Sequence, residues 1–162
     1  MRKIIASEML SVDGFIEKER GQLDWFVQDE ELNDYAMKLL ESVDTIIYGR
    51  ITYEMMAGFW PYASGGFAAR TNELQKYVVT GTLKETPWGT WGNARPLGGN
   101  PAEEMERLKE QPGKDMVIYG SGSIVRELTK HELVDEYRLI VNPVLLGKGK
   151  PLFGGFSGKI QL

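Results

Sequence analysis

Residues 116–123 read MVIYGSGS, an apolar run that stops at a turn of glycine and serine residues. The sequence IVREL, residues 124–128, follows at once and has the character of a helix. A strand that turns this tightly into a helix leaves backbone N–H groups without partners at the helix start. Those N–H groups, together with the positive end of the helix dipole, suit a phosphate group. The stretch therefore predicts a strand, a turn and a helix with a candidate phosphate site at their junction.

Two earlier stretches end in turns of a similar kind. The apolar residues 45–48 lead through Gly49 into a helix-like segment, and the strand predicted over residues 76–82 ends in small polar residues. Strands thus alternate with helices, which favours an α/β fold with helices on both faces of a sheet. Ligands of such sheets bind beyond the carboxyl ends of the strands. We therefore expect these two turns and the turn at Gly120 to converge on one site.

Length and charge limit the classes of protein to which the chain can belong. Its 162 residues are enough for one compact domain, residues 1–162, and too few for two. A formal net charge of -4 with mixed signs argues against a nucleic-acid-binding protein. No apolar run approaches the roughly 20 residues that span a bilayer. We therefore expect a soluble domain that binds neither nucleic acid nor membrane.

The rare residue types exclude several kinds of chemistry. The chain has no cysteine, which removes disulfides, thiolate metal sites and cysteine nucleophiles and fits a reducing, cytoplasmic compartment. Its one histidine, His131, has Asp135 where the zinc pattern requires a second histidine. No nucleophile elbow is present, so a Ser-His-Asp hydrolase has little support. The sequence therefore predicts no metal site.

Each candidate phosphate site also has a plainer interpretation. The turn at residues 120–123 has the first two glycines of a dinucleotide fingerprint, but Val125 stands where the third belongs. A tight turn without a ligand explains this motif about as well. Arg50 can hold a phosphate through two hydrogen bonds beside the free helix N–H groups, with Thr52 adding a hydroxyl. The alternative is a solvated Arg50 and a Thr52 that only caps the helix.

Three further residues are candidates for the chemistry of a cleft. Asp13 is a candidate for proton transfer, although Asp-Gly pairs are also common turn residues. Trp60 and Tyr62 are candidates for stacking on a flat ring in the substrate site, whereas aromatic residues in loops more often cover the core.

Four motifs, taken in order, resemble a known family. They are SVDG at 11–14, GRITYE at 49–54, GSGS at 120–123, and LVDE at 133–136 running into PVLLGKG at 143–149. The set is similar to the dihydrofolate-reductase-like family, and specifically to stand-alone relatives of the reductase half of the riboflavin-biosynthesis deaminase-reductase. The resemblance covers nearly the whole chain. It implies a three-layer α/β/α fold around a mixed, mostly parallel central sheet.

The same resemblance implies NADPH as cofactor, bound across the edge of the sheet. By this resemblance, Gly49, Arg50 and Thr52 bind the phosphates of the cofactor at one helix start. The phosphates are bound at the other helix start by Gly120, Ser121, Gly122, Ser123 and Ile124. The resemblance also implies that Thr80, Gly81 and Thr82 lie along the adenosine side of the cofactor. The family also has a cis peptide bond between two glycines, which corresponds here to the bond between Gly120 and Ser121.

The function that the resemblance implies is NADPH-dependent reduction of a small heterocycle. Examples are 5-amino-6-(5-phosphoribosylamino)uracil reductase of riboflavin biosynthesis and dihydrofolate reductase. Ser7 stands where the riboflavin reductases carry a lysine, and the folate enzymes' helix carboxylate has only Asn33 or Asp34 as a counterpart. These departures leave the cofactor prediction intact and the substrate open. The alternatives are a non-catalytic nucleotide-binding or ligand-sensing module and a scaffold without a site.

The end of the sequence suggests an exposed sheet edge. Family members continue with a final pair of strands, whereas this sequence stops at Leu162, just as a new strand is predicted to begin at residues 159–162. We therefore expect the strand predicted over residues 137–141 to have an unpaired edge. Pairing of that edge between two subunits is the basis for predicting a homodimer.

Overall fold

A six-stranded sheet forms the centre of the structure, a computed structural model that describes residues 1–162. The strands are β1 (Ile4–Ser11), β2 (Phe15–Glu17), β3 (Val43–Gly49), β4 (Gln75–Val79), β5 (Ala94–Leu97), β6 (Asp115–Tyr119), β7 (Glu136–Asn142) and β8 (Lys150–Pro151). The α-helices are α1 (Glu30–Ser42), α2 (Arg50–Ala57), α3 (Gly66–Glu73), α4 (Pro101–Glu110) and α5 (Gly122–Lys130). Short 3-10 helices span Glu19–Gly21 and Trp60–Tyr62.

The strand order of the central sheet is β5-β4-β3-β6-β1-β7. Every neighbouring pair in it is parallel, so all six strands have their carboxyl ends on the same side. The antiparallel pairing lies outside the sheet, between the short strands β2 and β8. Parallel strands covered on both faces require near-continuous apolar runs, which explains why β3 and β6 are buried along most of their length.

Two hydrophobic cores lie on the two faces of the sheet. One contains Met105 of α4 and Val125 of α5, and the other contains Leu40 of α1 and Tyr53 of α2. Neighbouring residues of one strand alternate between them, as Ile4, Ala6 and Ile5 do in β1. The sheet is therefore the middle of three layers, which confirms the predicted α/β/α fold with a mostly parallel sheet.

Strand β7 forms one edge of the sheet and presents apolar side chains to solvent. Leu139 is 38% exposed and Val141 is 58% exposed. This is the edge that the sequence led us to expect, and the association of two subunits through it stays a prediction. None of the helices combines the length and the apolar composition needed to cross a membrane.

The starts of α2 and α5 touch each other. The backbone N–H of Gly49 donates to Ser121 Oγ at 2.7 Å, and Ser121 Oγ lies 3.0 Å from Thr52 Oγ1. A Cβ atom added to Gly49 would lie 3.1 Å from the Cβ and Oγ atoms of Ser121. The close contact between the two helix starts is therefore possible because residue 49 is glycine and has no side chain.

A buried polar cluster surrounds Lys76 in β4. Lys76 is fully buried, its Nζ donates to the Asn72 carbonyl at 2.6 Å, and it lies 4.7 Å from the centre of the Trp88 ring. Trp88 Nε1 in turn donates to Asn72 Oδ1 at 2.7 Å. Because burial disfavours the charged amine, the pKa of Lys76 is lowered to about 7.

Replacing Gly49 with alanine should destabilise the fold. Its φ of -80° suits any residue, so the cost comes from the new Cβ atom pressing on Ser121. We expect Gly49→Ala to lower the free energy of unfolding by about 1–3 kcal/mol in urea denaturation. Gly58→Ala at the end of the same helix is the control, because its added Cβ would lie 3.5 Å from the Glu54 carbonyl, an ordinary contact. Equal effects of the two substitutions would contradict the prediction.

The stability of the protein should depend on pH through Lys76. Its pKa is 10.5 when unperturbed and about 7 in the fold, so the unfolded chain binds more protons between these values and stability rises with pH there. Lys76→Met removes the amine, and the Asn72 carbonyl keeps a hydrogen bond from Asn93 Nδ2 at 2.7 Å. Between pH 7 and 9 the free energy of unfolding of the wild type should gain on the order of 1–2 kcal/mol relative to this variant.

The same substitution at the exposed Lys84 controls for the change in net charge. The stability difference between Lys84→Met and the wild type should stay constant with pH. A constant difference for Lys76→Met as well would show that Lys76 keeps its ordinary protonation in the fold.

Candidate functional site

A cavity of about 580 Å³ lies at the carboxyl-terminal side of the sheet. Its lining comes from the residues where β3, β4 and β6 end and from residues 7–9 in the middle of β1. Strand β2 and part of the loop that follows it, including Leu23 and Phe26, contribute apolar side chains. Its size is that of a small-molecule or cofactor site, and its place is the one expected for ligands of parallel sheets.

Helices α2 and α5 begin at this cavity without side-chain caps. Neither Gly49 nor Ser121, the residues before them, caps the helix start with its side chain. The helix starts of α1 and α4, which do not line the cavity, are capped by Asp29 and Asn100. Because a helix start leaves N–H groups unpaired and carries partial positive charge, α2 and α5 present two such places to the same cavity.

The residues predicted to bind the cofactor come together here. All of them line the cavity: Gly49, Arg50, Thr52, Thr80, Gly81, Thr82, Gly120, Ser121, Gly122, Ser123 and Ile124. The peptide bond between Gly120 and Ser121 is cis, at the position that the resemblance indicated. The binding of NADPH by these residues stays a prediction.

Arg50 lies at the rim of the cavity and has a partner within its own helix. Its Nη1 atom lies 3.0 Å and 3.1 Å from the two carboxylate oxygens of Glu54. Both side chains are nearly half exposed, at 44% and 48%. An exposed ion pair of this kind contributes little to stability. The guanidinium is therefore free to exchange Glu54 for a phosphate at small cost.

The turn after β4 is held by the hydroxyl of Thr80. This buried oxygen accepts hydrogen bonds from the N–H groups of Thr82 at 3.2 Å and Leu83 at 3.1 Å. Side-chain bonds to the following backbone are typical of Thr in turns. The Thr80 hydroxyl is thus committed to shaping the turn, while Gly81 and Thr82 are the more exposed residues beside the cavity.

Asp13 does not line the cavity, and its position does not support the predicted proton-transfer role. Its carboxylate accepts hydrogen bonds from Ser11 Oγ at 2.6 Å and from the N–H groups of Leu146 and Gly147 at 3.1 Å and 2.7 Å. The hydrogen bond from Ser11, followed by those from the backbone, lowers the pKa of Asp13. It is therefore a carboxylate that fastens the loop after β7 to the loop after β1.

The two aromatic candidates differ in position. Trp60 lines the cavity, where its Nε1 lies 3.1 Å from Met56 Sδ and its ring packs against Phe59 and Phe67. Tyr62 is 77% exposed and does not line the cavity. Trp60 is therefore placed to contact a ligand, whereas the position of Tyr62 does not support the predicted stacking.

The sequence interpretation missed Glu8, the buried carboxyl group that lines the cavity. Glu8 is 3% exposed, and its Oε1 atom is buried without a hydrogen-bond partner. Burial raises its pKa to about 8, so the group is largely protonated at neutral pH. The signal was the single charged residue of β1, a strand whose other residues are apolar or serine and which is covered on both faces.

Comparison with known proteins agrees with this architecture. A family model described as the RibD C-terminal domain matches residues 2–161. The YyaP protein of Bacillus subtilis (strain 168) is 33% identical over 166 residues, which cover 99% of this chain and 85% of that protein.

Two solved structures have similar folds. A Shewanella sp. PV-4 protein assigned to riboflavin biosynthesis has a TM-score of 0.80 and 25% identity, over 98% of this chain and 87% of that one. The dihydrofolate reductase of Enterococcus faecalis, solved with NADP(H), has a TM-score of 0.61 and 19% identity, over 96% of this chain and 79% of that one. The resemblance identified in the sequence is thereby confirmed, and the chain belongs to the RibD C-terminal domain family.

Proposed function

We propose that this protein is an NADPH-dependent reductase of a small heterocyclic compound. The observation that carries the proposal is the pair of uncapped helix starts, α2 and α5, which follow neighbouring strands and face one cavity. Membership of the RibD C-terminal domain family supports it, since the sequence resembles the reductase half of the deaminase-reductase.

The residues at the helix starts fit a dinucleotide diphosphate. In this proposal the free N–H groups at the first turns of α2 and α5 donate hydrogen bonds to the phosphate oxygens from both sides. Glycines are needed because a Cβ at Gly120 would lie 3.2 Å from Thr52 Cγ2, as one at Gly49 would crowd Ser121. Arg50 adds a positive charge at the rim, where the proposal assigns it to the phosphate that NADPH carries and NADH lacks.

The strand order supports one direction for the proposed cofactor along the cavity. With the adenosine side along residues 80–82 after β4 and the diphosphate between β3 and β6, the nicotinamide end lies toward β1. There Ile16, Leu23 and Phe26 supply apolar surface that excludes water from a flat ring. When bound, NADPH supplies a hydride, while the chain holds the two rings in position.

The size and lining of the cavity support the proposed substrate class. An apolar end next to β1, beside the nicotinamide position, suits a flat heterocycle with a reducible C=N or C=O bond. Ser7 lines this end at the position where the riboflavin reductases carry a lysine. The proposal therefore extends to small heterocycles as a class, among them pterins, flavin precursors and pyrimidines.

Titration with NADPH, followed by turnover, tests the proposed function. Trp60 lines the cavity, so bound NADPH should quench tryptophan fluorescence. Oxidation of NADPH in the presence of pterins, flavin precursors or pyrimidines is the further result expected of a reductase. Binding without oxidation by any of these compounds would replace the reductase with a nucleotide-binding module, and absence of binding at millimolar NADPH would remove the proposed function.

Arg50→Ala should weaken NADPH binding by about tenfold and NADH binding less. A charge-assisted hydrogen bond to phosphate is worth about 1.4 kcal/mol or more, and NADPH carries one phosphate more than NADH. Fluorescence titration measures both dissociation constants. Arg107→Ala is the matched control, because Arg107 forms a comparable exposed pair with Glu104 on α4 and does not line the cavity. Equal losses for the two cofactors, or an equal loss in the control, would contradict the assignment.

A further inference from the structure

Glu8 lies at the end of the cavity where the proposed function places the reacting ring. Strand β1 is separated from β4 by β6 and β3, and neighbouring strands lie about 4.8 Å apart. The predicted phosphate-binding turns of β3 and β6 therefore lie between Glu8 and residues 80–82. Glu8, Ser7 and Met9 line this far end. This placement of the ring depends on the proposed function.

The surroundings of Glu8 offer its carboxyl group no charged partner. Its Oε1 atom has no hydrogen-bond partner, none of the ion pairs of the structure includes Glu8, and burial is the whole cause of its raised pKa. A buried carboxylate without a partner is costly, so the neutral acid is the stable form. The side chain therefore holds a proton next to a ligand cavity and does not donate it in a hydrogen bond within the protein.

The other titratable groups that line the cavity are less suited to give up a proton. Glu17 of β2 lies 3.6 Å from Lys150 of β8 across their ion pair, and Arg50 pairs with Glu54. Burial raises the pKa values of Tyr48 and Tyr119, which therefore keep their protons. From β7, Leu139 is the residue in register with Glu8, and Arg138 beside it pairs with Glu136.

We propose that the Glu8 carboxyl is the acid that donates a proton to the substrate during reduction. The hydride supplied by the nicotinamide cofactor forms a bond to the carbon of a C=N or C=O group. The electron pair of the π bond then moves to the nitrogen or oxygen, which takes the proton from Glu8. Glu8 is left as a carboxylate and regains its proton from solvent after the product leaves. The substrate is thus a heterocycle whose reducible bond has its nitrogen or oxygen directed at β1.

Glu8→Gln keeps the size and polarity of the side chain and removes the proton that can be donated. The first measurement uses no ligand. Because the pKa of Glu8 is 4.5 when unperturbed and about 8 in the fold, the native protein binds more protons between these values and loses stability as pH rises through them. The urea midpoint of the wild type, compared with that of the variant at each pH, should fall between pH 5 and 8. Lys76 titrates in both the wild type and Glu8→Gln, so its effect cancels in the difference between their midpoints, which reports Glu8 alone.

The second measurement compares cofactor binding with turnover. NADPH should bind Glu8→Gln within about twofold of the wild type, because the diphosphate residues are unchanged. Its kcat with the best compound of the panel should fall by about 100-fold or more, the usual contribution of a general acid. Glu8→Asp should recover part of that loss. The wild-type kcat should decline above about pH 8, where Glu8 loses its proton in the fold.

Two results would overturn the proton-donor role. One is a Glu8→Gln variant whose kcat stays within threefold of the wild type. The other is a midpoint difference that does not change between pH 5 and 8, which would mean that Glu8 holds no proton in the fold. Asp13→Asn tests the carboxylate first singled out in the sequence, and a loss of kcat in that variant alone would transfer the role to Asp13.

The outcome also separates this inference from the proposed function. If neither protein binds NADPH, the reductase fails and the proton-donor role fails with it, although the midpoints still report the protonation of Glu8. If both proteins bind NADPH and the wild type reduces no compound of the panel, the protein is a nucleotide-binding module and Glu8 is not a catalytic acid. If both bind NADPH and turnover survives in Glu8→Gln, the reductase stands and only the role of Glu8 is lost.

Discussion

The hydroxyl of Ser121 accepts a hydrogen bond from the backbone N–H of Gly49 and so joins two helix starts from distant parts of the sequence. Each helix follows a strand of the parallel sheet, and the two strands are neighbours. Because β3 and β6 are parallel, the open N–H groups of α2 and α5 lie at the same end of the sheet, and this contact holds the two helix starts together beside the cavity. Gly49 and Gly120 allow the two helix starts to approach each other closely. A Cβ atom at Gly49 would crowd Ser121, and one at Gly120 would crowd Thr52, so a side chain at either position would push the helices apart.

The cavity is electrically uneven along its length. Two helix starts and Arg50 make its middle and rim positive, which suits an anionic ligand. Its far end combines the apolar side chains of Ile16, Leu23 and Phe26 with Ser7, Glu8 and the paired Glu17 and Lys150, and burial raises the pKa of Glu8 there. The carboxyl ends of the strands thus provide one region that favours negative charge and, a few strands away, a second region where burial disfavours charge. Chemistry that binds phosphates and then transfers a proton at an uncharged ring uses both environments.

The parts of the structure that could be predicted from sequence are those set by local patterns. The apolar run and glycine turn at residues 116–123 identify a strand that leads into a helix, and Asn100 followed by Pro101 marks a helix start. The cofactor residues follow from such turns together with family resemblance. Asp13 and Glu8 could not be separated in this way, because burial is decided by which strands lie beside β1. Asp13 meets the N–H groups of residues 146 and 147, more than a hundred positions away, and no local pattern reveals that contact.

The position of β1 inside the sheet has a consequence for how the chain assembles on the ribosome. Its two neighbours, β6 and β7, come from residues 115–142, whereas β3, β4 and β5 pair among themselves within residues 43–97. During synthesis the first strand therefore waits without partners until most of the polypeptide has emerged, since contacts distant in sequence form late. One half of the sheet can form early, and the half that carries Glu8 closes last.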